Sequence, residues 1–370
     1  MRIGLNLLHA LPEIGGGWNY IHGLVGAVAR YGDLSGIVAF VHSESAGLVQ
    51  HVPGIEAIRC PIDASNRPAR IVYEHLRLPS LVRQARVDCV HHFAGTLPVV
   101  HSGRAVVTVH DLLVYRNPRA FPFAKRRYLR LMGRWTARKA DLLLPVSRST
   151  ADDLQTFWGI DPGRMVVIPA VLDEQFRVRE PADIAAFRVA RGLPDAFWLY
   201  VAHGHLHKNH DRLLAAFATR VQAGTAQWPL VLRGERLDAV RTRVSELGLT
   251  DKVVFLERLP ADEMPLLFAA AGALVFPSTF EGGGIPLMEA MACACPVAAS
   301  RIPTTLEFGG DSVLLFDPTV VSSIAAAMDE LESSSALRHE SAQKGLRRVG
   351  QHRPKEIANL CRQSYERAIA

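Results

Sequence analysis

Short aliphatic and β-branched runs alternate with amphipathic stretches along most of this chain. The runs of the first half are Arg2–Leu8, Gly36–His42, Cys89–His92, Ala105–His110 and Asp141–Val146, and a second series begins near Phe197. Strands that alternate with helical segments are typical of βαβ units and parallel sheets. A chain of 370 residues also exceeds the ~250–300 residues at which single hydrophobic cores stop growing. The pattern therefore predicts an α/β protein of two Rossmann-like, doubly wound domains that face each other across a cleft.

The segment 173–194 separates the two series. It carries mixed charges, two prolines and no strand pattern, so we interpret it as the interdomain linker. We place the N-terminal domain at residues 1–175 and the C-terminal domain at residues 176–352, with 353–370 as a terminal amphipathic helix. In doubly wound sheets, ligands bind at the carboxyl ends of the strands. We therefore expect the chemistry to occur between the domains.

Composition excludes several classes of protein. Hydrophobic residues make up 49% of the chain and charged residues 21%, which is too apolar for a disordered protein. The five cysteines are scattered and lack zinc-ligand spacing, so we expect a reducing compartment and no structural metal. We find neither a signal-peptide pattern nor an apolar run of ~18 residues. The expectation is a cytoplasmic protein.

The net charge is +6, and much of it lies in one segment, Arg116–Lys139, which contains no acidic residue. We predict a helix over 124–140 with Tyr128, Leu131 and Trp135 on one side. Its arginines then face solvent, or they rest on an anionic membrane surface beside the acceptor site. The high pI of about 9.2 also leaves nucleic-acid binding open as an alternative, although nothing else in the sequence favours it.

The strongest motif begins where a strand ends and a triple-glycine loop follows. It reads Phe-Pro-Ser-Thr-Phe-Glu-Gly-Gly-Gly-Ile-Pro-Leu-Met-Glu over residues 276–289. Glycines bring backbone N–H groups close to a ligand, and Pro286 suits the first turn of a helix whose N-terminus attracts an anion. The carboxylates of Glu281 and Glu289 flank the loop and accept hydrogen bonds from hydroxyls. Phosphates together with hydroxyls indicate a nucleotide sugar.

This segment resembles the Glu-x7-Glu signature of the retaining glycosyltransferases of family 4, which have the two-domain GT-B fold. The resemblance implies that Glu281 and the amides of Gly283, Gly284 and Ile285 hold the donor sugar and that Glu289 holds the ribose. The family more often has an aromatic residue at position 283 and glycine at position 294. We expect the first departure to affect sugar choice and the alanine at 294 to affect only packing.

Other segments carry the same resemblance. Residues 15–20 resemble the glycine loop beside the donor diphosphate, which assigns Gly16 and Gly17 to that site, and Val109-His110-Asp111 resembles the motif whose histidine faces the donor sugar. Residues 200–209 resemble the phosphate-binding loop, with Lys208 as the cation on the diphosphate. His207 stands where the family has arginine, so its charge depends on pH. The family's last helix also returns to the first domain, which places 353–370 there.

Two further observations concern cations. Arg233 follows a strand, where an arginine can reach phosphate or form a surface salt bridge. Histidines at 203, 205, 207 and 210 suggest a metal site, but no Asp-x-Asp pair occurs in the chain and Lys208 with helix dipoles can replace Mg²⁺. We expect no cofactor and no metal.

The hinge segment 167–173 lacks the Asn-Gly that the family commonly has there. Because Val171 resists positive φ, we expect a different hinge backbone.

The sequence predicts a metal-independent retaining hexosyltransferase that uses a nucleotide-diphosphate sugar and a glycan or lipid-linked acceptor. Mannose is the favoured sugar, and bacterial surface polysaccharide assembly is the favoured process, with the enzyme cytoplasmic or peripheral on the inner face of the plasma membrane. The alternative is a GT-B protein that binds or epimerises nucleotide sugars without transferring them. A Rossmann oxidoreductase is a weaker alternative, since no Gly-x-Gly-x-x-Gly follows the first strand.

Overall fold

The computed structural model describes residues 1–11, 15–350 and 352–370, which fold into two compact units. The first unit comprises Met1–Val171 with His352–Ala370, and the second comprises Leu172–Gln351. Each unit contains a six-stranded sheet in which every pairing is parallel. The predicted two-domain, Rossmann-like α/β class is therefore confirmed.

The first sheet has the order β3-β2-β1-β4-β5-β6. Its strands are β1 (Arg2–Asn6), β2 (Gly36–Val41), β3 (Ile55–Arg59), β4 (Cys89–His92), β5 (Arg104–Val109) and β6 (Leu142–Pro145). Its helices within the N-terminal part are α1 (Gly16–Tyr31), α2 (Arg67–Leu76), α3 (Leu78–Ala85), α4 (Leu113–Arg116), α5 (Phe123–Lys139) and α6 (Arg148–Trp158). Chain order reverses between β1 and β4, which is where such sheets bind ligands.

The second sheet has the order β12-β11-β10-β7-β8-β9, and chain order reverses between β7 and β10. Its strands are β7 (Trp198–Val201), β8 (Leu230–Arg233), β9 (Val253–Leu256), β10 (Ala273–Phe276), β11 (Val297–Ser300) and β12 (Leu314–Phe316). Its helices are α7 (Pro181–Arg191), α8 (His210–Gln222), α9 (Asp238–Glu246), α10 (Met264–Ala270), α11 (Ile285–Ala292), α12 (Pro303–Phe308), α13 (Val321–Ser333) and α14 (Ser335–Val349). Most strands are buried along nearly their whole length, as parallel strands covered by helices on both faces must be.

The last helix, α15 (Pro354–Ile369), packs against α1 in the first unit. Its buried face contains Ile357, Ala358, Cys361, Tyr365 and Ala368. Tyr365 reaches the first sheet and shares a hydrogen bond of 2.8 Å with His91 Nδ1. The terminal amphipathic segment is thus a structural part of the first unit.

Part of the expected linker is a helix. Helix α7 has proline in its first turn and ends at Gly192, whose φ is +60°. It buries Phe187, and Arg188 donates two hydrogen bonds to the carbonyl of Ala270 at the end of α10. The sequence analysis did not predict this helix within the linker segment, although Pro181 and Gly192 are start and stop signals for a helix.

Ala294 corrects a second expectation. It has φ +58°, in the left-handed region, whereas we expected this departure from glycine to affect only packing. A side chain in that region costs roughly 1–2 kcal/mol relative to glycine. Val171, by contrast, is not among the described residues with positive φ, so the hinge segment avoids the conformation that its sequence would resist.

Candidate functional site

Two loops meet at the carboxyl edge of the second sheet, where β7 and β10 lie side by side. The amide of Thr279 donates to the carbonyl of His207 at 2.8 Å. The side chain of Asn209 donates to the carbonyl of Pro277 at 3.0 Å, and the hydroxyl of Tyr200 donates to the carbonyl of Lys208 at 2.6 Å. The loop that follows β7 and the loop that follows β10 are therefore held together by one backbone hydrogen bond and by the Asn209 side chain.

Lys208 and Glu281 form an ion pair across these two loops. Lys208 Nζ lies 2.6 Å from Glu281 Oε1, and the side chains are only 17% and 9% exposed. Thr304 fixes the backbone of the acidic partner by donating its hydroxyl to the Glu281 carbonyl at 2.6 Å. The family resemblance assigns Lys208 to the donor diphosphate and Glu281 to the donor sugar. The fold brings these two side chains into direct contact, where each neutralises the charge of the other.

The glycine loop leads into α11. Gly284 has φ +58° and precedes the helix, and Pro286 occupies its first turn. The first amides of a helix have no partner within it and carry a partial positive charge. A Cβ at Gly284 would lie 3.5 Å from Thr304, whose hydroxyl contacts the Glu281 carbonyl, so the helix N-terminus lies near Glu281.

Glu289 lies one turn into α11 and is buried. Arg233, at the end of β8, is close enough for the two charges to interact. Burial lowers the pKa of Arg233, while the carboxylates of Glu235 and Glu289 act in the opposite direction. Arg233 is therefore a partly buried cation within electrostatic range of Glu235 and Glu289.

His207 is uncharged near neutral pH. Burial and then the charge of Lys208 lower its pKa to about 4, although Glu281 opposes the shift. Its segment is a 3₁₀ turn, not a strand, and its ring stacks on that of His205 with centroids 5.7 Å apart. Within the described part of the chain, no three His, Cys, Asp or Glu side chains are grouped as metal ligands would be.

In the first unit, His110 follows β5 at the carboxyl edge of the sheet. Its Nε2 lies 3.1 Å from the carbonyl of Phe93, and its ring makes a T-shaped contact with that of Tyr20, with centroids 5.0 Å apart. Burial lowers its pKa to about 4. The contact with a carbonyl assigns the proton of the neutral ring to Nε2, which leaves Nδ1 as an acceptor.

The glycine loop of the first unit opens α1. Gly15 has φ +57° and its carbonyl accepts the amide of Asn19 at 3.1 Å, so the helix begins at Gly16 with Gly17 in its first turn. Both glycines lie at the helix N-terminus, as the motif predicts. That Gly16, Gly17 and His110 share one site with Lys208 and Glu281 stays a prediction.

Sequence reasoning missed a second polar group in the first unit. Asn6 ends β1 and His92 ends β4, and Asn6 Nδ2 lies 3.1 Å from His92 Nδ1 and 3.4 Å from Glu74 Oε1. Glu74 is buried on α2. The available signal was positional, since both strands end in a polar side chain at the reversal point of the sheet.

Two family models together match most of the sequence. Residues 14–176 match the glycosyltransferase family 4 model, and residues 184–348 match the model of glycosyl transferases group 1. The chain belongs to these glycosyltransferases. The predicted family is confirmed.

Curated relatives include two enzymes named for mannosyl transfer. The O-antigen chain mannosyltransferase B of Escherichia coli is 28% identical over 67% of this chain and 66% of its own length. The O-antigen chain mannosyltransferase RfbU of Salmonella typhimurium is 25% identical over 86% of this chain and 87% of its own.

Solved structures share the fold. Sucrose-phosphate synthase from Thermosynechococcus elongatus superposes with a TM-score of 0.81 at 21% identity, covering 99% of this chain and 98% of its own. HepE from Anabaena, solved in complex with UDP and glucose, gives a TM-score of 0.73 at 20% identity, with 97% of each chain covered. These likenesses place the chain in the GT-B fold.

Proposed function

We propose that this chain is a hexosyltransferase of bacterial surface polysaccharide assembly that transfers mannose from a nucleotide-diphosphate sugar to a hydroxyl of a glycan or lipid-linked acceptor. The observation that carries the proposal is the Lys208–Glu281 pair at the reversal point of the second sheet, in a chain of this family. The choice of mannose is supported by the relatives named for mannosyl transfer in O-antigen synthesis.

Donor binding rearranges the ion pair. A diphosphate offers Lys208 Nζ several anionic oxygens in exchange for one carboxylate oxygen of Glu281. The freed carboxylate then accepts hydrogen bonds from sugar hydroxyls. After the exchange Lys208 is paired with the diphosphate and Glu281 is hydrogen-bonded to hydroxyls, which matters because a buried charge without partners is costly.

The reaction retains the configuration of the sugar. Double displacement would require a carboxylate nucleophile with an acid partner ~5–5.5 Å away. Glu281 instead hydrogen-bonds the sugar's hydroxyls in the proposed complex. The diphosphate leaves from the same face that the acceptor hydroxyl attacks, and it takes the acceptor's proton.

Charge on the leaving diphosphate is stabilised without a metal ion. Lys208 supplies a full charge, the N-terminus of α11 supplies about half a charge, and the amides at Gly16 and Gly17 add further donors. His110 is neutral and presents its Nδ1 as an acceptor for a sugar hydroxyl. Rates that are equal with EDTA and with Mg²⁺ support this proposal, whereas loss of activity in EDTA that Mg²⁺ restores contradicts it.

A donor panel tests the proposed activity. The protein is incubated with GDP-mannose, UDP-glucose and UDP-N-acetylglucosamine, and thermal stabilisation and slow donor hydrolysis are measured. We expect the largest response with GDP-mannose, and we expect NMR of the released sugar to show the donor's anomeric configuration first. A protein that none of these donors stabilises, and that hydrolyses none of them, is not the proposed enzyme.

The alternative of a nucleotide-sugar binding or epimerising protein is not favoured. The relatives of this chain are named as transferases. The chain also has all four residues that the family resemblance assigns to transfer: Lys208, Glu281, Glu289 and His110. Products of the donor panel separate the two, because an epimerase returns an intact nucleotide sugar.

We further propose that α5 lies on an anionic membrane surface. The helix contains no acidic residue, and Phe123 and Leu131 are exposed by 64% and 59%. Lys125 stacks over Phe121, while Arg126 and Arg127 stack over Phe123. Cations above exposed rings suit the interface between lipid headgroups and acyl chains. No helix in the described part of the chain has the length and apolarity to cross a bilayer.

A further inference from the structure

Tyr20 is a buried side chain of α1 that the proposed transfer does not use. It is only 1% exposed, and its hydroxyl donates to the carbonyl of Ile168 at 3.0 Å. Its ring makes the T-shaped contact with the ring of His110. Ile168 belongs to the segment in which the chain leaves the first unit, which ends at Val171. One buried side chain therefore contacts both this segment and the histidine that the family resemblance places at the donor sugar.

Helix α1 approaches the same segment at a second point. Gly23 lies three residues after Tyr20 and therefore on the same face of the helix. A Cβ at Gly23 would lie 2.3 Å from the carbonyl oxygen of Val171, which is closer than a side chain can approach. The bare backbone lets α1 lie directly against residues 168–171. The Ile168 carbonyl is thus a fixed anchor for the Tyr20 hydroxyl.

The orientation of the His110 ring decides which atom a sugar can reach. The side chain is partly exposed, and its Nε2 lies against the Phe93 carbonyl. The Thr150 hydroxyl donates to the main-chain carbonyl of His110 at 3.3 Å, which fixes the backbone but not the ring. A half-turn about the terminal side-chain torsion, which has two broad wells, exchanges each ring nitrogen with a carbon. A turned ring would present carbon to a sugar hydroxyl in place of Nδ1.

A second tyrosine–histidine pair in the same unit has no place in the proposed transfer. The rings of Tyr365 and His91 make an edge contact with centroids 5.7 Å apart. The Tyr365 hydroxyl bonds His91 Nδ1, and Thr108 bonds Nε2, so the protein occupies both ring nitrogens of His91. The Tyr20 hydroxyl is directed instead to a main-chain carbonyl, so Tyr20 meets His110 through its ring. This arrangement restrains the imidazole without occupying its Nδ1.

We propose that Tyr20 is a positioning residue for His110 in the transfer reaction. Its ring blocks the half-turn of the imidazole, and the bond from its hydroxyl to Ile168 keeps that ring in place. Nδ1 of His110 then stays available as an acceptor for a sugar hydroxyl. The inference rests on the proposed transferase function, and it adds a residue that acts on the donor through His110.

Kinetics of donor hydrolysis by the full chain test the proposal, with the best nucleotide sugar from the panel. Tyr20→Leu removes the ring and should lower kcat by about tenfold while KM changes less than about twofold, because Lys208 is still in place. Tyr20→Phe keeps the ring and loses its anchor, so kcat should fall by about threefold. This variant also preserves the packing if Tyr20→Leu does not fold. In a His110→Asn background, each substitution should change kcat by less than about twofold, since the side chain that Tyr20 positions is gone.

A spectroscopic measurement needs no substrate. Correlation of ring protons with ring nitrogens by NMR near neutral pH reports which nitrogen of a neutral histidine carries the proton, and comparison with His110→Asn assigns the signals of His110. We expect one tautomer in the wild-type protein, with the proton on Nε2. Both Tyr20 variants should also populate the Nδ1-protonated form, because a turned ring loses its contact with Phe93. An unchanged tautomer in both variants overturns the proposal.

The matched control is Tyr365→Phe, which removes another buried tyrosine hydroxyl beside a histidine of the same unit. It should lower the melting temperature but leave kcat and the His110 tautomer unchanged. The proposal is overturned if Tyr20→Phe leaves kcat unchanged, if the losses keep their full size in the His110→Asn background, or if Tyr365→Phe lowers kcat equally. A wild-type protein that hydrolyses no donor counts against the proposed function, and the tautomer measurement then still tests the role of Tyr20.

Discussion

Tyr365 on the C-terminal helix and His91 on the central part of the first sheet share a hydrogen bond of 2.8 Å across 274 residues of sequence. Both side chains are buried, and the other ring nitrogen of His91 lies 2.7 Å from Thr108 Oγ1. Helix α15 is thereby attached to the first unit by a polar contact as well as by its apolar face.

Replacing Tyr365 with Phe keeps the ring and leaves His91 Nδ1 buried without a partner. An unsatisfied buried group costs about 1–3 kcal/mol, so we expect a lower melting temperature. Tyr31→Phe, at a partly exposed tyrosine, is the control. A chain that ends at His352 should have a still lower melting temperature, because removing α15 also exposes the face of α1 on which it packs. If the truncated chain melts and reacts like the full one, α15 does not stabilise the first unit.

Ala294 offers a gain of stability. Because its φ is +58°, Ala294→Gly should stabilise the second unit by about 1 kcal/mol, which is ~2–4 °C in melting temperature for a domain of its size. Ala326→Gly, at an exposed site inside α13, should do the opposite by a similar amount. Differential scanning calorimetry measures both. A Gly variant at 294 that melts lower would mean that the backbone there is not left-handed.

The strand and helix pattern was readable from the sequence because buried parallel strands are continuous apolar runs. The contacts between side chains could not be read from the sequence. The Glu281 motif and Lys208 were found as separate signals, and nothing in their spacing of 73 residues indicates an ion pair. Strand order decides that contact, since it places β7 beside β10.

Other features needed backbone geometry. The sequence at 294 shows an alanine in place of glycine, and only the φ angle distinguishes a packing change from strain. The predicted apolar stripe of α5 was wrong in phase. Leu131 is exposed, and the buried residues are Met132, Gly133, Thr136 and Ala137. Small residues are buried here because Gly133 lies against the ring of Trp158, a contact that residue hydropathy does not predict.

Lys208 should matter for rate and, because its removal leaves the largely buried carboxylate of Glu281 without its partner, for stability as well. We expect Lys208→Ala to lower kcat/KM for the donor by about 10²–10³-fold, the range for removing one preorganised donor to a developing anion. Glu281→Gln should raise KM for the donor, since the amide replaces an acceptor at the sugar hydroxyls. Lys252→Ala, an exposed lysine of the same unit, is the control. A Lys208→Ala enzyme within threefold of the wild type would remove this residue from the mechanism.

Mild acid, between about pH 6.5 and pH 4, should destabilise the protein through its buried histidines. Burial lowers the pKa of His110, His207 and His210 from 6.5 to about 4. Between these values the unfolded chain binds more protons than the folded one, so stability is complete above about pH 6.5 and falls as pH drops towards 4. Urea midpoints at pH 7.5 and pH 5.0 measure the loss.

His210→Phe should reduce that loss, because the ring contact with Tyr200 is kept and one buried titrating group is removed. His51→Gln, at an exposed position, is the control and should leave the loss of stability at pH 5.0 unchanged. If the urea midpoint of the wild-type protein is the same at both pH values, the histidines are not held neutral by the fold.

The basic face of α5 gives a prediction about vesicles. Arg127, Arg134 and Arg138 are exposed, whereas Arg130 lies over the ring of Tyr115 and is partly buried. Each exposed cation near an anionic bilayer contributes about 1 kcal/mol before salt screening. Changing Arg127, Arg134 and Arg138 to Gln should therefore abolish cosedimentation with anionic vesicles at low salt. A control that removes the same charge from the second unit, at Lys252, Arg301 and Arg347, should leave cosedimentation with anionic vesicles unchanged.

Two outcomes would contradict the prediction: equal binding of the wild-type protein to neutral and anionic vesicles, or an equal loss of binding in both triple variants. Either would mean that α5 is a solvated helix and that the acceptor is reached without a membrane contact there.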